Sequence, residues 1–252
     1  MSDTSFTSRA EPRVPPHGAS PRSEAEGKRS FARIRRGLRQ NGLSLVLSAL
    51  FIACWIGQAA FGFAEYNQSR REHGFQSVGL LDYARTGHLW EATFENWESE
   101  FFQMGLFVLL TVRLYQRGSS ESKSPDERNE CDADPASHRQ DPKAPWPVRR
   151  GGLASKLYEH SLSTAFVALF LLSFVLHAVA GVQNVNEQHR LEGLPEQTLG
   201  EYVTSAQFWF ESFQNWQSEF LAVLAIVVFS IFLREKGSAQ SKAVAAPHDE
   251  TG

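Results

Sequence analysis

Few residues of the kinds that mark catalytic or metal sites occur in this chain of 252 residues. Its two cysteines, Cys54 and Cys131, lie far apart and cannot form the Cys-x-x-Cys pair of a thiol oxidoreductase. Glycine-rich phosphate loops, Gly-x-Ser-x-Gly nucleophile motifs and His-Glu-x-x-His zinc motifs are absent. The basic residues flank apolar runs and do not outline a nucleic-acid groove. We therefore predict no metal, no cofactor and no nucleic-acid partner.

Charge is missing from two long stretches, although 21% of the residues are charged. Residues 43–64 and 161–186 contain no Asp, Glu, Lys or Arg, and each stretch exceeds the roughly 20 residues that cross a lipid hydrocarbon core. Two shorter apolar runs become long enough if each helix begins upstream. The lipid bilayer is thus a predicted partner, crossed by four spans at about 43–64, 94–115, 161–184 and 212–233.

The position of the basic residues predicts the orientation of these spans. Lys and Arg cluster before the first span and between the second and third, and they are few in the other two loops. By the positive-inside rule, both termini and the central segment are cytoplasmic, in a multi-pass protein of the inner (plasma) membrane. A cleavable signal peptide is the alternative for the first run, but about 40 residues precede it, where a signal peptide has a short basic region.

The two halves of the chain align without a gap at an offset of 119 residues. This offset pairs Asn67 with Asn186 and Tyr83 with Tyr202, among many identities. Such self-similarity indicates an internal duplication. The predicted fold is all-α and integral to the membrane, with four transmembrane helices arranged as two tandem-repeat helical hairpins. A pseudo-twofold axis along the membrane normal would relate the hairpins.

Segments rich in Ser, Pro and charge surround the two repeat units and are predicted to be disordered and cytoplasmic. Near residue 31, Phe31, Ile34 and Leu38 recur among arginines, which suits a short helix on the anionic leaflet; a simple charge cluster is the alternative. Thr198 and Glu201 have capping-box spacing and predict a short helix there. The predicted order is tail 1–30, repeat unit 31–116, linker 117–156, repeat unit 157–235 and tail 236–252.

Both repeat units contain an Asn-Trp-x-Ser-Glu-Phe motif where a helix enters the membrane: FENWESEF at residues 94–101 and FQNWQSEF at residues 213–220. At helical spacing the aromatic residues form one stripe, which is typical of anchoring at the lipid headgroups and of helix packing. We predict these interfacial aromatics to be Trp90, Phe94, Trp97, Phe101, Trp209, Phe213, Trp216 and Phe220.

A polar stripe continues from the same motif into the membrane. Carboxylates at such depth usually face the interior of a helix bundle with a partner. The predicted polar layer comprises Gln58, Asn96, Ser99, Glu100, His177, Asn215, Ser218 and Glu219. A third face carries Glu91, Glu95 and Glu98, whose counterparts are Phe210, Gln214 and Gln217; because charge is lost between the copies, this face is predicted to meet water or headgroups.

The paired stretches NGLSLVLSALF and HSLSTAFVALF, the twin motifs and the closing APHDETG resemble an uncharacterised family of small bacterial membrane proteins, a domain of unknown function. The resemblance covers about residues 39–123 and 157–252. It implies a membrane protein and brings no activity, ligand or catalytic residue.

Three functions remain open from the sequence. The favoured one is a non-enzymatic membrane protein whose polar layer holds the bundle together and whose cytoplasmic tails recruit protein partners; a homo-oligomer is compatible with it. The second is a small transporter or channel subunit that uses Glu100, Glu219 and His177 to bind protons or cations. The third is an enzyme or redox component that uses His177. The alternative for His177 is a core histidine that is hydrogen-bonded to a backbone carbonyl or to a serine.

Overall fold

Helices and turns make up the part of the chain that the computed structural model describes, residues 36–127 and 129–252, and no strand occurs there. The all-α prediction is therefore confirmed. The predicted tail 1–30 and two residues of the predicted interfacial helix, Phe31 and Ile34, lie outside the described residues. Residues 36–40, which include Leu38, are helical.

Four long helices are separated by short ones. The long helices are α1 (Gly42–Glu72), α3 (Gly87–Thr111), α6 (Ser161–Glu192) and α8 (Ala206–Phe232). The short helices are α2 (Leu80–Tyr83), α4 (Trp146–Arg150), α5 (Gly152–Glu159) and α7 (Leu199–Val203), with 3-10 turns at Glu130–Asp132 and Pro135–His138. The predicted capping box is confirmed, since Thr198 and Glu201 exchange both hydrogen bonds at the start of α7.

Three of the described helices, α1, α6 and α8, are long and apolar enough to cross a membrane. These helices contain most of three predicted spans and indicate a membrane protein. The remaining predicted span coincides largely with α3, which is 25 residues long but carries four glutamates between residues 91 and 100. Those glutamates keep α3 from having the composition of an ordinary membrane span.

The chain falls into two compact units, one up to Gln58 and the other from Ala59 to Gly252. In the first unit the apolar side chains of α1 are largely exposed, for example Leu43, Leu47 and Ile56. Exposed apolar surface of this extent suits contact with lipid. The second unit contains α3, α6 and α8 and all of the contacts described below.

Glycine lets α3 approach α6 closely. A Cβ atom on Gly87 would lie 2.5 Å from the backbone oxygen of Ala180 and the same distance from the backbone nitrogen of Asn184. Small residues at helix crossings are the usual means by which membrane helices pack. Helix α8 adds to this pair through ring contacts, with the Phe102 and Trp216 centroids 4.6 Å apart.

Several local contacts occur twice, 119 residues apart. The Asn67 side chain exchanges two hydrogen bonds with the backbone of Val78, at 3.3 and 2.7 Å. Asn186 makes the same pair with Gln197, at 2.8 and 2.7 Å. Each asparagine thereby ties the end of a long helix to the chain that leads into the next short helix.

A glycine and a tyrosine form a second recurring contact. The phenol oxygen of Tyr83 occupies the place that a Cβ atom on Gly62 would need, and that of Tyr202 does the same at Gly181. Both tyrosines are buried. A side chain at either glycine would displace a buried ring, so glycine is required at these two positions by close approach.

The polar segments after α3 and α8 make defined hydrogen bonds where the sequence predicts disorder. Ser119 Oγ lies 2.9 Å from Ser230 Oγ, and the Gly118 amide donates to Thr251 Oγ1 at 2.9 Å. The Lys242 ammonium group donates to three backbone carbonyls, those of Pro247, His248 and Glu250. Hydroxyl and turn residues can order a segment that has too few apolar residues for a core.

Candidate functional site: a buried histidine and carboxylate cluster

His177 lies in α6 with 0% of its surface exposed. Its Nδ1 is 2.8 Å from Oε2 of Glu98 on α3, which is equally buried. The indole of Trp216 on α8 donates to the other oxygen of Glu98 at 3.0 Å. The Phe208 ring stacks on the imidazole at a centroid distance of 4.9 Å. This histidine and carboxylate are therefore held by three helices in an apolar setting.

Glu91 lies two helical turns before Glu98 and is 8% exposed. It accepts a hydrogen bond from the Asn184 side chain of α6. Tyr202 of α7 has its hydroxyl 3.0 Å from Glu91 and 3.0 Å from Glu211 of α8. Burial and the two neighbouring carboxylates raise the pKa of Tyr202, so it remains a phenol and a donor. One hydroxyl hydrogen can fully satisfy only one of the two carboxylates.

Glu95 extends the cluster along the same face of α3. Its Oε1 accepts a hydrogen bond of 2.5 Å from the Asn215 side chain of α8. The carboxylate is half-buried, unlike its two neighbours on this face. Glu95 is thus the member of this face that lies nearest to solvent.

The cluster contains more acidic groups than basic ones. Glu91, Glu95, Glu98 and Glu211 surround a single histidine. Nε2 of His177 has no hydrogen-bond partner among the described residues and lies 3.9 Å from Glu211 Oε2. Buried charges without compensation are costly, so an arrangement of this kind favours either protonation of a carboxylate or an additional positive charge.

A polar cavity of about 190 Å³ lies next to the cluster. Asn184 lines this cavity and also bonds Glu91, so it lies between the two. Elsewhere the cavity wall carries ion pairs. His88 Nε2 is 2.7 Å from Glu65, and Arg70 is 3.2 Å from Glu187, which also accepts a hydrogen bond from Tyr66.

The prediction that Glu91, Glu95 and Glu98 face water or headgroups is wrong for Glu91 and Glu98, which are buried, whereas Glu95 is half-buried. This face is turned towards α6 and α7, where His177, Asn184 and Tyr202 supply partners. The counterparts in the second repeat copy, Phe210, Gln214 and Gln217, are exposed. The absence of charge at the matched positions of the second copy therefore did not mean that the glutamates of the first copy are exposed.

The residues of the predicted polar layer do not all come together. His177 and Asn215 belong to the cluster. Asn96, Ser99 and Ser218 donate to backbone oxygens of their own helices. Glu100 is exposed and Glu219 is half-buried. The two carboxyl groups lie close enough to interact electrostatically. Gln58 lies in the first unit.

The predicted aromatic stripe forms ring contacts along each helix. Trp90 stacks on Phe94 with centroids 5.5 Å apart, and Phe94 meets Trp97 edge to face. In α8 the corresponding rings are Trp209, Phe213 and Trp216. Trp216 has a further role that the stripe did not predict, because its indole nitrogen donates to Glu98. Anchoring of the stripe at headgroups stays a prediction.

One sequence signal pointed to the missed residues. The first repeat copy has Gln58 in its first long helix and three glutamates, at 91, 95 and 98, in its second. The second copy has His177 in place of the glutamine and has lost all three acids. A histidine gained in one copy and acids kept in the other are complementary, and the pairing of α3 with α6 brings them together.

Comparison with known proteins identifies one family, and its model covers the cluster. No curated protein and no solved structure matches the chain. The family model described as a domain of unknown function, DUF6766, matches residues 34–252, which include every residue of the cluster and of the cavity. The chain therefore belongs to this family of domains of unknown function.

Proposed function

We propose that this protein is a multi-pass membrane protein that binds a cation inside its helix bundle. The observation that carries the proposal is the excess of acid: four glutamates, the buried Glu91 and Glu98 and the half-buried Glu95 and Glu211, gather around His177. A purely structural pair would need one acid for one histidine. Ionisable residues within membrane helices commonly mark ion pathways and binding sites.

The proposal includes a membrane-crossing role for α3. Its buried glutamates are turned towards α6, while apolar side chains such as Met104, Leu109 and Leu110 are exposed. Glu100 is the acid of this helix that is exposed, but a helix that turns most of its acids into the bundle and presents apolar residues outward further along is compatible with lipid. The contacts that recur 119 residues apart support two tandem hairpins of the same orientation. With the positive-inside rule, this gives four spans and cytoplasmic termini in a bacterial inner membrane.

Topology reporters test the fourth span. Fusions after Gly74 and after Gly193 are expected to place the reporter outside the cytoplasm, and a fusion after Ser122 should place it inside. Alkaline phosphatase fusions would detect the positions outside the cytoplasm, and fluorescent protein fusions would detect those inside it. If fusions after Gly74 and Ser122 report the same side, α3 does not cross the membrane.

The cavity beside Asn184 supplies a route by which a cation could approach. The acidic groups Glu65 and Glu187 in its wall already have basic partners, so the wall offers an approaching cation carboxylate oxygens but little net negative charge. Asn184 links the wall to Glu91, the first buried carboxylate of the cluster. The proposed path therefore runs from the cavity to Glu91 and then to Glu211 and His177.

Ligand-dependent stability tests the proposed function. A cation that binds only the folded protein raises the free energy of unfolding by about 2.7 kcal/mol when its concentration is 100 times the dissociation constant. We expect at least one of Na⁺, K⁺, Mg²⁺, Ca²⁺, Mn²⁺ and Zn²⁺ to raise the melting temperature of chelator-treated protein in lipid nanodiscs. Glu211→Gln should weaken this response, and Glu100→Gln should retain it. No response to any cation, or equal responses in both variants, would contradict the proposal.

A structural, non-enzymatic role is the second candidate, and one observation favours it. Glu98 already has two protein donors, His177 and Trp216, and Glu95 has Asn215. Such interhelical bonds stabilise membrane bundles by about 1 kcal/mol each. This role predicts a stable protein whose melting temperature is insensitive to cations, so the same titration separates the two candidates.

A further inference from the structure

We propose that the bound cation is a divalent first-row transition metal, coordinated by Nε2 of His177 and by carboxylate oxygens of Glu91 and Glu211. This inference rests on the proposed function and names the class of cation for the same cluster. One ligand atom from each of the three residues lies within 4.8 Å of the other two. The three residues come from α3, α6 and α8, so a metal would join three helices.

The imidazole is oriented as a metal ligand. Glu98 holds Nδ1 at 2.8 Å, and because a carboxylate accepts, the ring hydrogen lies on Nδ1. Nε2 is the buried atom that has no hydrogen-bond partner among the described residues, and a metal that displaces its proton would find the lone pair there. A carboxylate that bonds the far nitrogen of a coordinating histidine is the usual support for such a ligand. Nε2 is directed towards Glu211, 3.9 Å away.

The spacing is close to that of a coordination shell. Zinc lies about 2.0–2.2 Å from nitrogen and oxygen ligands, so ligand atoms around it are roughly 3–4 Å apart. The ligand atoms of the cluster lie within 4.8 Å of one another, which is about 1–2 Å more than in a coordination shell at most, and rotation of the glutamate side chains can close this difference. Tyr202, bonded to Glu91 and Glu211 at 3.0 Å each, holds the two carboxylates next to each other.

The ligand set selects among cations. Ca²⁺ and Mg²⁺ prefer oxygen ligands alone, and Cu(I) prefers sulfur, whereas imidazole with carboxylates suits Mn²⁺, Fe²⁺, Co²⁺ or Zn²⁺. A divalent ion also balances the two carboxylates that coordinate it. Glu98 then remains paired with the imidazole, and Glu95 with Asn215.

Metal content and a cobalt spectrum test the inference. Full-length protein carrying Cys54→Ser and Cys131→Ser, which removes exposed thiols that bind metals, is treated with chelator in nanodiscs and dialysed against Mn²⁺, Co²⁺ or Zn²⁺. Mass spectrometry of the metal should give about one ion per chain, and bound Co²⁺ should show visible bands of nitrogen and oxygen coordination. Glu98→Gln should weaken affinity by about 10–100-fold, as expected for a residue that supports a ligand.

His177→Gln, which places at 177 the residue found at matched position 58, should lose metal and spectrum. If the His177→Gln protein does not fold, Glu211→Gln serves as the second ligand variant. Glu100→Gln is the control, and we expect it to bind metal as the parent protein does. Metal retained equally by both ligand variants would place it elsewhere and overturn the inference. Stabilisation by Na⁺ or K⁺ without retention of any transition metal would overturn the inference and leave the proposed function standing. Failure to bind any cation would overturn both.

Discussion

Glu98→Ala is expected to lower the free energy of unfolding by about 3–5 kcal/mol, because removal of one member of a buried ion pair leaves the other uncompensated. His177 would lose its carboxylate partner, and the Trp216 indole would lose its acceptor. Reversible unfolding in mixed micelles, followed by tryptophan fluorescence, would measure the change.

Glu100→Ala is the matched control, since Glu100 lies in the same helix two residues further on and is exposed. Its effect should stay within about 0.5 kcal/mol, as for most exposed positions. A larger decrease in the free energy of unfolding for Glu100→Ala than for Glu98→Ala would show that the face predicted from the sequence, and not the face seen in the structure, lines the bundle.

A double-mutant cycle between His177 and Glu98 should show strong coupling. Each single leucine variant leaves a buried polar group without its partner and should cost about 3–5 kcal/mol. The double variant replaces both groups with apolar ones, so its cost should fall below the sum of the single costs by about 2–3 kcal/mol. Denaturation of the four proteins under one set of conditions gives the coupling energy.

The pair of His88 and Glu65 provides the control cycle. These side chains are 2.7 Å apart, but they are 24% and 67% exposed. Ion pairs in contact with solvent contribute about 0–1 kcal/mol, so the coupling there should be small. Equal coupling in both cycles would mean that His177 and Glu98 are solvated in the membrane-embedded protein.

The long helices were predictable from the sequence because charge is strongly segregated along the chain. Residues 43–64 and 161–186 lack charge, and α1 and α6 contain them completely. The start of α7 was also predictable, since the Thr198 and Glu201 capping box is a local interaction that needs no tertiary partner. Features determined by neighbours in sequence were thus recovered well.

The site depends on the rotation of α3 about its own axis, which no local pattern determines. Glu98 and Glu100 are two residues apart and so point about 200° apart on a helix. The prediction put Glu100 in the bundle because both copies have glutamate at this position, and it therefore put Glu98 on the outer face. Only the packing of α3 against α6 reveals that the face with Glu91 and Glu98 is the buried one. The hydrogen bonds from Lys242 to carbonyls five to eight residues further along the chain were also missed, because composition does not reveal individual contacts.

The central claim is that the acidic face of α3 encloses a cation with His177 inside the bundle. An experimental structure of the protein in lipid nanodiscs, determined with and without added Mn²⁺ or Zn²⁺, tests it most directly. The account predicts Glu98 in contact with His177, away from lipid and water, and metal-dependent density between His177 Nε2, Glu91 and Glu211. Glutamates 91, 95 and 98 facing headgroups, with Glu100 and Glu219 in the bundle interior, would contradict it.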